Sequence, residues 1–315
     1  MRPHTHTKVK HLLHVAGKTM LDHLLDSFKQ LKIDEYIFIL APHDHQTEEH
    51  VKKHYHFKAS YAVQKEALGN AHAIYQAKDL VKGDEIMVVF GDTLFVTDLG
   101  LVKKTKSDCI IWTRKVEDPR RFGVVFEEKG FITKIIEKPD KPVSNKAITG
   151  LYYFRNSQDL MDSIKYIMDK GIKTKGEFYL TDAMQHMIDQ GRKFVNADMK
   201  AWLDCGKPET VLSTNQYLLE HGCHHVIPTK NTVIKRPVFI EKGASVENSI
   251  IGPFVSIAKD ANIKNAIIEN SIINKEAIVE DVQLKDSIVG EAAVVKDFFK
   301  KLNVGDNSEI VYDGK

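Results

Sequence analysis

At 315 residues and a formal charge of +2, the chain is long enough for about two domains. Its 43% hydrophobic and 28% charged residues are ordinary globular composition, which excludes a disordered chain, a collagen-like fibre and a disulfide miniprotein. The 45 basic residues nearly balance the 43 acidic ones, so no polyanion-binding surface, and no nucleic acid partner, is expected.

The first two-thirds alternate between helical and strand patterns. MLDHLLDSFKQL (20–31) carries apolar residues at helical spacing, and EYIFILAP (35–42) reads as a buried strand closed by Pro42. HQTEEHVKKHY (45–55) reads as a polar amphipathic helix, YAVQ (61–64) as a short strand and GNAHAIYQAKDL (69–80) as a helix opening at a Gly. EIMVVFGD (85–92) is a β-branched run ending in Gly-Asp. This rhythm implies a Rossmann-like α/β domain whose sheet is mixed and mostly parallel, with helices on both faces. CIIWTRKV, FGVVFEE, ITKIIEK and ITGLYYF (108–155) are four strand candidates with little helix between them. They read as antiparallel additions forming a lid or substrate-facing subdomain. Helices return at 157–169 and 180–190, followed by RKFVNADM and AWLDCG.

From about residue 225 the texture changes. Ile240, Val246, Ile251, Ile257, Ile263, Ile268, Ile273, Val279, Leu284, Val289 and Val295 recur at steps of five or six. That spacing predicts a hexapeptide-repeat left-handed β-helix in which each flat face supplies one inward aliphatic. The expected boundaries are 1–222 for the α/β domain, 223–297 for the β-helix and 298–315 for a tail. No apolar run approaches the roughly 18 residues of a membrane span, so no membrane partner is expected. The polar, His-rich start is no secretory signal. Cys109, Cys205 and Cys223 form no CxxC pair, and a reduced, cytoplasmic setting fits them.

Several residues have the chemistry of a phosphate-handling site. Asp92 ends the strongest strand, where ligands of open α/β sheets sit, and a carboxylate there can hold Mg²⁺ against a phosphate. Asp204, in AWLDCG, repeats the pattern of an apolar run ending in Asp. Gln64 and Gly69, in QKEALGNAHA, lie between a strand and a helix start, where free N–H groups admit a base or phosphate. Lys10 and Lys138 are basic positions beside turns, suited to phosphate as point charges. The bland alternatives are a strand-ending Asp, a helix cap and solvated lysines. His43, His45, His50, His54 and His56 crowd one polar stretch, but their spacing fits no standard ligand pattern and reads better as a solvated helix.

Together these pieces resemble the sugar-phosphate nucleotidylyltransferases, especially the glucose-1-phosphate thymidylyltransferase-like branch. The resemblance is carried, in order, by RPHTHTKVKHLLHVAGKTMLDH (2–23), QKEALGNAHA (64–73), VVFGD (88–92), RRFGVV (120–125), IIEKP (135–139), ITGLYYF (148–154), GEFYLTD (176–182) and AWLDCGKPE (201–209). It implies transfer of a nucleotidyl group from a nucleoside triphosphate, dTTP or UTP, to a sugar 1-phosphate, with release of pyrophosphate. By analogy Asp92 and Asp204 would ligate Mg²⁺ and Lys10 would touch the phosphates. Arg2, Gln64 and Gly69 would bind the nucleotide. Gly123, Glu137 and Gly150 would face the sugar, and Lys138 would hold its phosphate.

The chain departs from the family's opening strand and GxGTRxRP loop, of which Met1-Arg2-Pro3 matches only the tail. As written, it is therefore expected to leave EYIFIL and MVVFGD without an intervening strand, and to grip triphosphate weakly. Two alternatives stand beside the enzyme reading. One is a sugar-nucleotide-binding regulatory paralogue without turnover. The other is acyl transfer by the β-helix, which the lack of any His after His225 disfavours. A structural role for the β-helix in a homo-oligomer fits better.

Overall fold

The computed structural model describes residues 9–296 and 303–311. The chain divides into two compact units, Ser27–Trp202 and a second made of the chain before Ser27 together with that from Leu203 onward. In chain order the first elements are the short strands β1 (His14–Val15) and β2 (Lys18–Thr19) and helix α1 (Met20–Ser27). Then come β3 (Tyr36–Leu40), α2 (His45–His54), β4 (Ala59–Val63), α3 (Asn70–Tyr75), β5 (Ile86–Val89), β6 (Thr93–Val96) and α4 (Leu101–Lys104). They are followed by β7 (Cys109–Lys115), β8 (Val124–Glu128), β9 (Phe131–Ile136), β10 (Lys146–Phe154), α5 (Ser157–Asp169), α6 (Leu180–Asp189), β11 (Phe194–Asp198), β12 (Ala201–Asp204) and α7 (Pro208–Leu218).

In the unit Ser27–Trp202, β3 and β4 pair in parallel from Tyr36↔Ala59 to Leu40↔Val63. Helix α2 makes the crossover. Asp44 caps it by accepting the Thr47 N–H at 3.0 Å, and Val51 anchors its buried side. The main sheet runs β5-β10-β7-β11-β9-β8, with β8 closing back onto β10 through Ala147↔Val124. In this unit β3–β4 and β7–β11 are parallel. β10 is antiparallel to β5, β7 and β8, and β9 is antiparallel to β8 and β11. The sheet is thus mixed, but the expectation that it is mostly parallel is corrected. Parallel neighbours need a long crossover. α2 supplies one, α5 and α6 supply the other, and the segment between β7 and β10 contains no helix.

The expected lid is corrected as well. β7 and β10 are central strands, with Trp112, Tyr153 and Phe154 wholly buried, and only the β8–β9 hairpin lies toward the edge. Among the described residues β3 pairs with β4 and β5 with β10. Helices α5 and α6 close one side of the sheet. Leu160, Ile164 and Ile167 of α5 and Leu180, Ala183, Met184 and Met187 of α6 recur at three- and four-residue steps. They pack with Cys109, Ile111, Phe154 and Phe194, each fully buried. Burial of each large aliphatic or aromatic side chain contributes about 1.5–3 kcal/mol.

In the second unit the change of texture expected at 222/223 falls just after α7. A short turn, Leu219–Cys223, with Gly222 at φ +108°, leads into the repeat. The repeat strands stack in parallel in three sheets. The first face contains Val233–Ile234, Ile250–Ile251, Ile267–Glu269 and Gln283–Lys285. The second contains Val238–Ile240, Val255–Ile257, Ile272–Ile273, Ile288–Val289 and Asn303–Val304, and the third Ser245–Glu247, Asn262–Lys264, Ile278–Glu280, Val294–Lys296 and Glu309–Val311. All eleven aliphatics named from the sequence point inward and are at most 4% exposed. The corners are built on left-handed backbone. Asn248, Asn265 and Asp281 (φ +50°, +50° and +53°) form one column, and Asn270 and Asp286 (φ +43° and +49°) belong to another. Asn and Asp tolerate this region better than other side-chain-bearing residues. Their side chains also link successive coils, Asn265 Nδ2 donating to Asp281 Oδ1 at 2.8 Å and Asn270 Nδ2 to Asp286 Oδ1 at 2.7 Å.

Residues before Ser27 join this unit. Ala16 N–H donates to Asn215 Oδ1 at 3.0 Å, and Ser256 Oγ donates to the same oxygen at 2.6 Å. Asn215 Nδ2 in turn donates to the Phe254 carbonyl at 3.1 Å. One wholly buried amide thereby ties the N-terminal segment, α7 and the second repeat face together.

Candidate active site

The unit Ser27–Trp202 gathers the candidate residues into three groups. In the first, Gln64 follows β4 and Gly69 precedes α3. Gln64 Nε2 donates to the Gly69 carbonyl at 3.0 Å and lies 3.1 Å from His72 Nδ1. Gly69 has φ +115°, and a Cβ there would lie 2.3 Å from the Phe178 carbonyl oxygen. Only glycine lets these two backbones approach so closely. The contact is a seam: Phe178 N–H donates to Leu68 O at 2.8 Å and Ala71 N–H to Phe178 O at 3.1 Å. Asn70 Oδ1 accepts the Leu180 N–H at 2.7 Å.

The second group lies just beyond that seam. Glu137 and Lys138 follow β9, and Lys138 holds φ +41°. Lys138 Nζ donates to Tyr179 Oη at 2.7 Å and sits 4.5 Å from the centre of that ring. Glu137 Oε2 accepts the Thr181 hydroxyl at 2.9 Å, while its other oxygen is 3.9 Å from Lys138 Nζ. Gly123 completes the group. A Cβ there would lie 2.8 Å from Thr181 Cγ2 and 2.9 Å from Glu137 Oε2. The Glu137 side chain is only 8% exposed, and burial raises its pKa above the ordinary carboxylate value. Burial acts to lower the Lys138 pKa, but the Tyr179 hydrogen bond and the charges of Glu137 and Glu177 outweigh it and raise it. Lys138 therefore remains a cation at neutral pH.

The third group is the turn after β5. Asp92 sits between Phe90 and Thr93. The Phe90 N–H donates to Gly150 O at 3.0 Å, and Thr93 Oγ1 donates to Thr149 O at 3.2 Å. Gly150 lies where β10 shifts register against β7, at φ +86°. A Cβ on it would meet Phe90 Cδ2 at 2.9 Å. The sequence assigns Gly150 to the sugar; the structure gives it the task of seating the Asp92 turn.

Lys10 opens a 3₁₀ turn, Lys10–Leu12, and Asp204 ends β12; both belong to the second unit. Asp204 Oδ1 accepts the Gly206 N–H at 3.0 Å, which fixes its carboxylate. Arg2 lies outside the described residues. Among the described residues no group of three or more His, Cys, Asp and Glu side chains is placed to hold a metal. In the His-rich stretch, the His50 and His54 rings lie with centroids 4.4 Å apart, tilted by 40°. Asp92 and Asp204 each carry hard carboxylate oxygens, the donor type Mg²⁺ takes alongside substrate phosphates. No described helix is long and apolar enough to cross a membrane. All three cysteines are free thiols.

Sequence reasoning missed Tyr179 and Thr181, which hold Lys138 and Glu137. Their stretch GEFYLTD was visible as a motif, but no residue in it could be assigned without the seam to Gly69.

The family model described as "Nucleotidyl transferase" matches residues 1–221, and that described as "GlmU-like, C-terminal hexapeptide" matches residues 218–279. The low-salt glycan biosynthesis nucleotidyltransferase Agl11 of Haloferax volcanii is 29% identical, over 88% of this chain and 85% of that protein. A glucose-1-phosphate thymidylyltransferase of Streptomyces griseus is 28% identical, over 88% and 84%. The bifunctional protein GlmU of Methanocaldococcus jannaschii is 32% identical over 78% of this chain but only 58% of its own length. A Bacillus anthracis crystal structure described as a glucose-1-phosphate thymidylyltransferase superposes with a TM-score of 0.59 at 28% identity, covering 69% of this chain and 89% of that one. The chain belongs to the nucleotidyl transferase family, with a GlmU-like hexapeptide region following the family domain.

Proposed function

We propose that the protein transfers a nucleotidyl group from a pyrimidine nucleoside triphosphate, dTTP or UTP, to a sugar 1-phosphate, giving a nucleoside-diphosphate sugar and pyrophosphate. The observation that carries this reading is the seam at 178–181. One short segment holds both the Gln64–Gly69 loop and the Glu137–Lys138 pair, so an amide suited to a base edge and a cation suited to a phosphate are fixed to the same support. The relatives named as thymidylyltransferases, and the Haloferax volcanii UTP–glucose-1-phosphate uridylyltransferase AglF at 29% identity over 70% of this chain, act in the same sense.

In this reading Gln64 and Gly69 hold the base, with Arg2 on the nucleotide. Lys138 fixes the phosphate of the sugar 1-phosphate, and Glu137, Gly123 and the Gly150 strand border the sugar. The sugar-phosphate oxygen attacks the α-phosphorus in line, and pyrophosphate leaves from the opposite side. No bond to the protein forms, so the residues act by positioning and by neutralising charge. Lys10 neutralises charge on the triphosphate. Asp92 and Asp204 would hold Mg²⁺, which when bound supplies positive charge to the reacting phosphates. The repeat, taken as the left-handed type, serves assembly into a homo-oligomer.

The test is a matrix of nucleoside triphosphates against sugar 1-phosphates, read as pyrophosphate release with product identification, beside calorimetry of each substrate alone. The expected result is one favoured pair yielding sugar nucleotide and pyrophosphate in equal amounts. Binding of both substrates without release would instead mark a binding paralogue. Absence of both binding and release would overturn the reading.

A further inference from the structure

Two side-chain amides face one imidazole ring at the start of α3. Gln64 Nε2 lies 3.1 Å from His72 Nδ1, and Gln76 Nε2 lies 3.3 Å from His72 Nε2. A neutral imidazole has one nitrogen that donates and one that accepts, so the ring can take a proton from only one of the two amides.

Each amide nitrogen is identified by its other partner. Gln64 Nε2 donates to Gly69 O at 3.0 Å and Gln76 Nε2 donates to His72 O at 2.9 Å, and a carbonyl oxygen can only accept. Both nitrogens are therefore turned toward the ring. The Gln64 contact is the shorter, and it is built on fixed backbone. Gln64 N–H donates to Leu40 O at 2.9 Å, and Gly69 O also accepts the Ala73 N–H at 3.1 Å. Gly69 is itself pressed against Phe178, where a Cβ would lie 2.3 Å from the carbonyl oxygen. Gln76 needs nothing from the ring, because its nitrogen already has the His72 carbonyl. The ring lone pair thus belongs on Nδ1 and the ring proton on Nε2. Two bonds from one nitrogen fix the plane of the Gln64 amide. Its Oε1 is the end that no described residue takes.

We infer that His72 is a positioning residue for base recognition: by accepting from Gln64 Nε2 it holds the amide with Oε1 free, and so selects a pyrimidine that carries a proton on N3. The inference rests on the assignment of Gln64 to the base in the proposed function. Uracil and thymine carry N3–H, which Oε1 can accept. Cytosine presents a lone pair at N3, and two acceptors would meet. A site that hydrogen-bonds its substrate rejects an analogue that leaves the site's polar group unpaired. His72 itself touches no substrate in this arrangement. Without it, the amide keeps Gly69 O as a single anchor and can swing about that bond, which carries Oε1 away from the base.

The test has two arms, both on the whole protein. The first is calorimetry of UTP against CTP, and of dTTP against dCTP, with wild type, His72→Leu and His72→Asn. Asn sets an oxygen, Oδ1, in the place of Nδ1 and keeps an acceptor for Gln64. Wild type is expected to prefer the uracil or thymine member of each pair. His72→Leu is expected to reduce that preference by about fivefold or more, the weight of one hydrogen bond, and His72→Asn to restore most of it. A purely structural role would weaken both members of a pair alike and leave their ratio unchanged. The second arm is the nitrogen-15 spectrum of the imidazole rings of wild type in mildly alkaline buffer, with the His72 signals assigned by their loss in His72→Asn. It is expected to place the His72 proton on Nε2. A proton on Nδ1, a wild type without the preference, an unchanged ratio in His72→Leu, or a His72→Asn protein that behaves as His72→Leu does would overturn the inference while the proposed transfer stands. A wild type that binds none of the four nucleotides would overturn both.

Discussion

The Phe90 amide donates to the Gly150 carbonyl at 3.0 Å, and the two residues touch so closely that Gly150 cannot carry a side chain without displacing the turn that bears Asp92. Gly150→Ala is therefore expected to cost about 2 kcal/mol of stability, from the left-handed backbone and the contact with Phe90. It should lower the rate of pyrophosphate release by more than tenfold, roughly, because the carboxylate moves with the turn. Thermal melting and steady-state kinetics on the same preparation check this. A variant that loses stability but keeps full activity would separate Gly150 from Asp92.

Tyr179 is expected to act through Lys138. Tyr179→Phe keeps the ring under the ammonium but removes the oxygen at 2.7 Å. A hydrogen bond to a charged group is worth about 1.5 kcal/mol, so sugar 1-phosphate should bind roughly tenfold more weakly. Nucleoside triphosphate binding should be unchanged. Calorimetry with each substrate alone reads both.

Glu137 links stability to pH. Burial raises its pKa in the folded protein, so between the ordinary carboxylate value and the raised one the native state holds a proton that the unfolded chain has released. Its contribution is full below the unfolded value and is lost as pH rises through the folded one. Asp182, also raised by burial, acts in the same direction. Glu137→Gln is expected to flatten the fall in urea midpoint from acid towards neutral pH. Parallel curves for the two proteins would show that Glu137 does not carry the effect.

Asn215 is the keystone of the second unit. Asn215→Ala leaves Ala16 N–H and the Phe254 carbonyl without their partner in a buried setting. At about 1–3 kcal/mol for each unsatisfied group, a loss of about 3 kcal/mol is expected in denaturant unfolding. A loss below about 0.5 kcal/mol would mean that water replaces the amide.

The repeat was legible because its signal is local. Each inward aliphatic is set by a step of five or six residues, and the eleven positions from Ile240 to Val295 all reach the core. The Asn and Asp corners at 248, 265 and 281 carry a signal of the same kind, one left-handed residue per coil. The sheet was less legible. β7 and β10 read correctly as strands, but strand direction depends on which connections contain helices, and on pairings between residues such as Leu151 and Val89 that no local pattern encodes. The proximity of Gln64 to Gly69, and of Glu137 to Lys138, is legible because each pair is close in the chain. Tyr179 is 41 residues from Lys138, and Asn215 is 199 from Ala16; such partners emerge only once the fold brings them together.

The central claim is that Gln64 and Lys138 serve two substrates at subsites carried by one segment. Isothermal calorimetry of Gln64→Ala and Lys138→Met, each titrated separately with nucleoside triphosphate and with sugar 1-phosphate, tests it most directly. The account predicts a crossed pattern. Lys138→Met should weaken sugar 1-phosphate binding by about tenfold or more and leave triphosphate binding within about twofold, and Gln64→Ala should do the reverse. Variants that both weaken the same ligand, or that weaken neither, would contradict it.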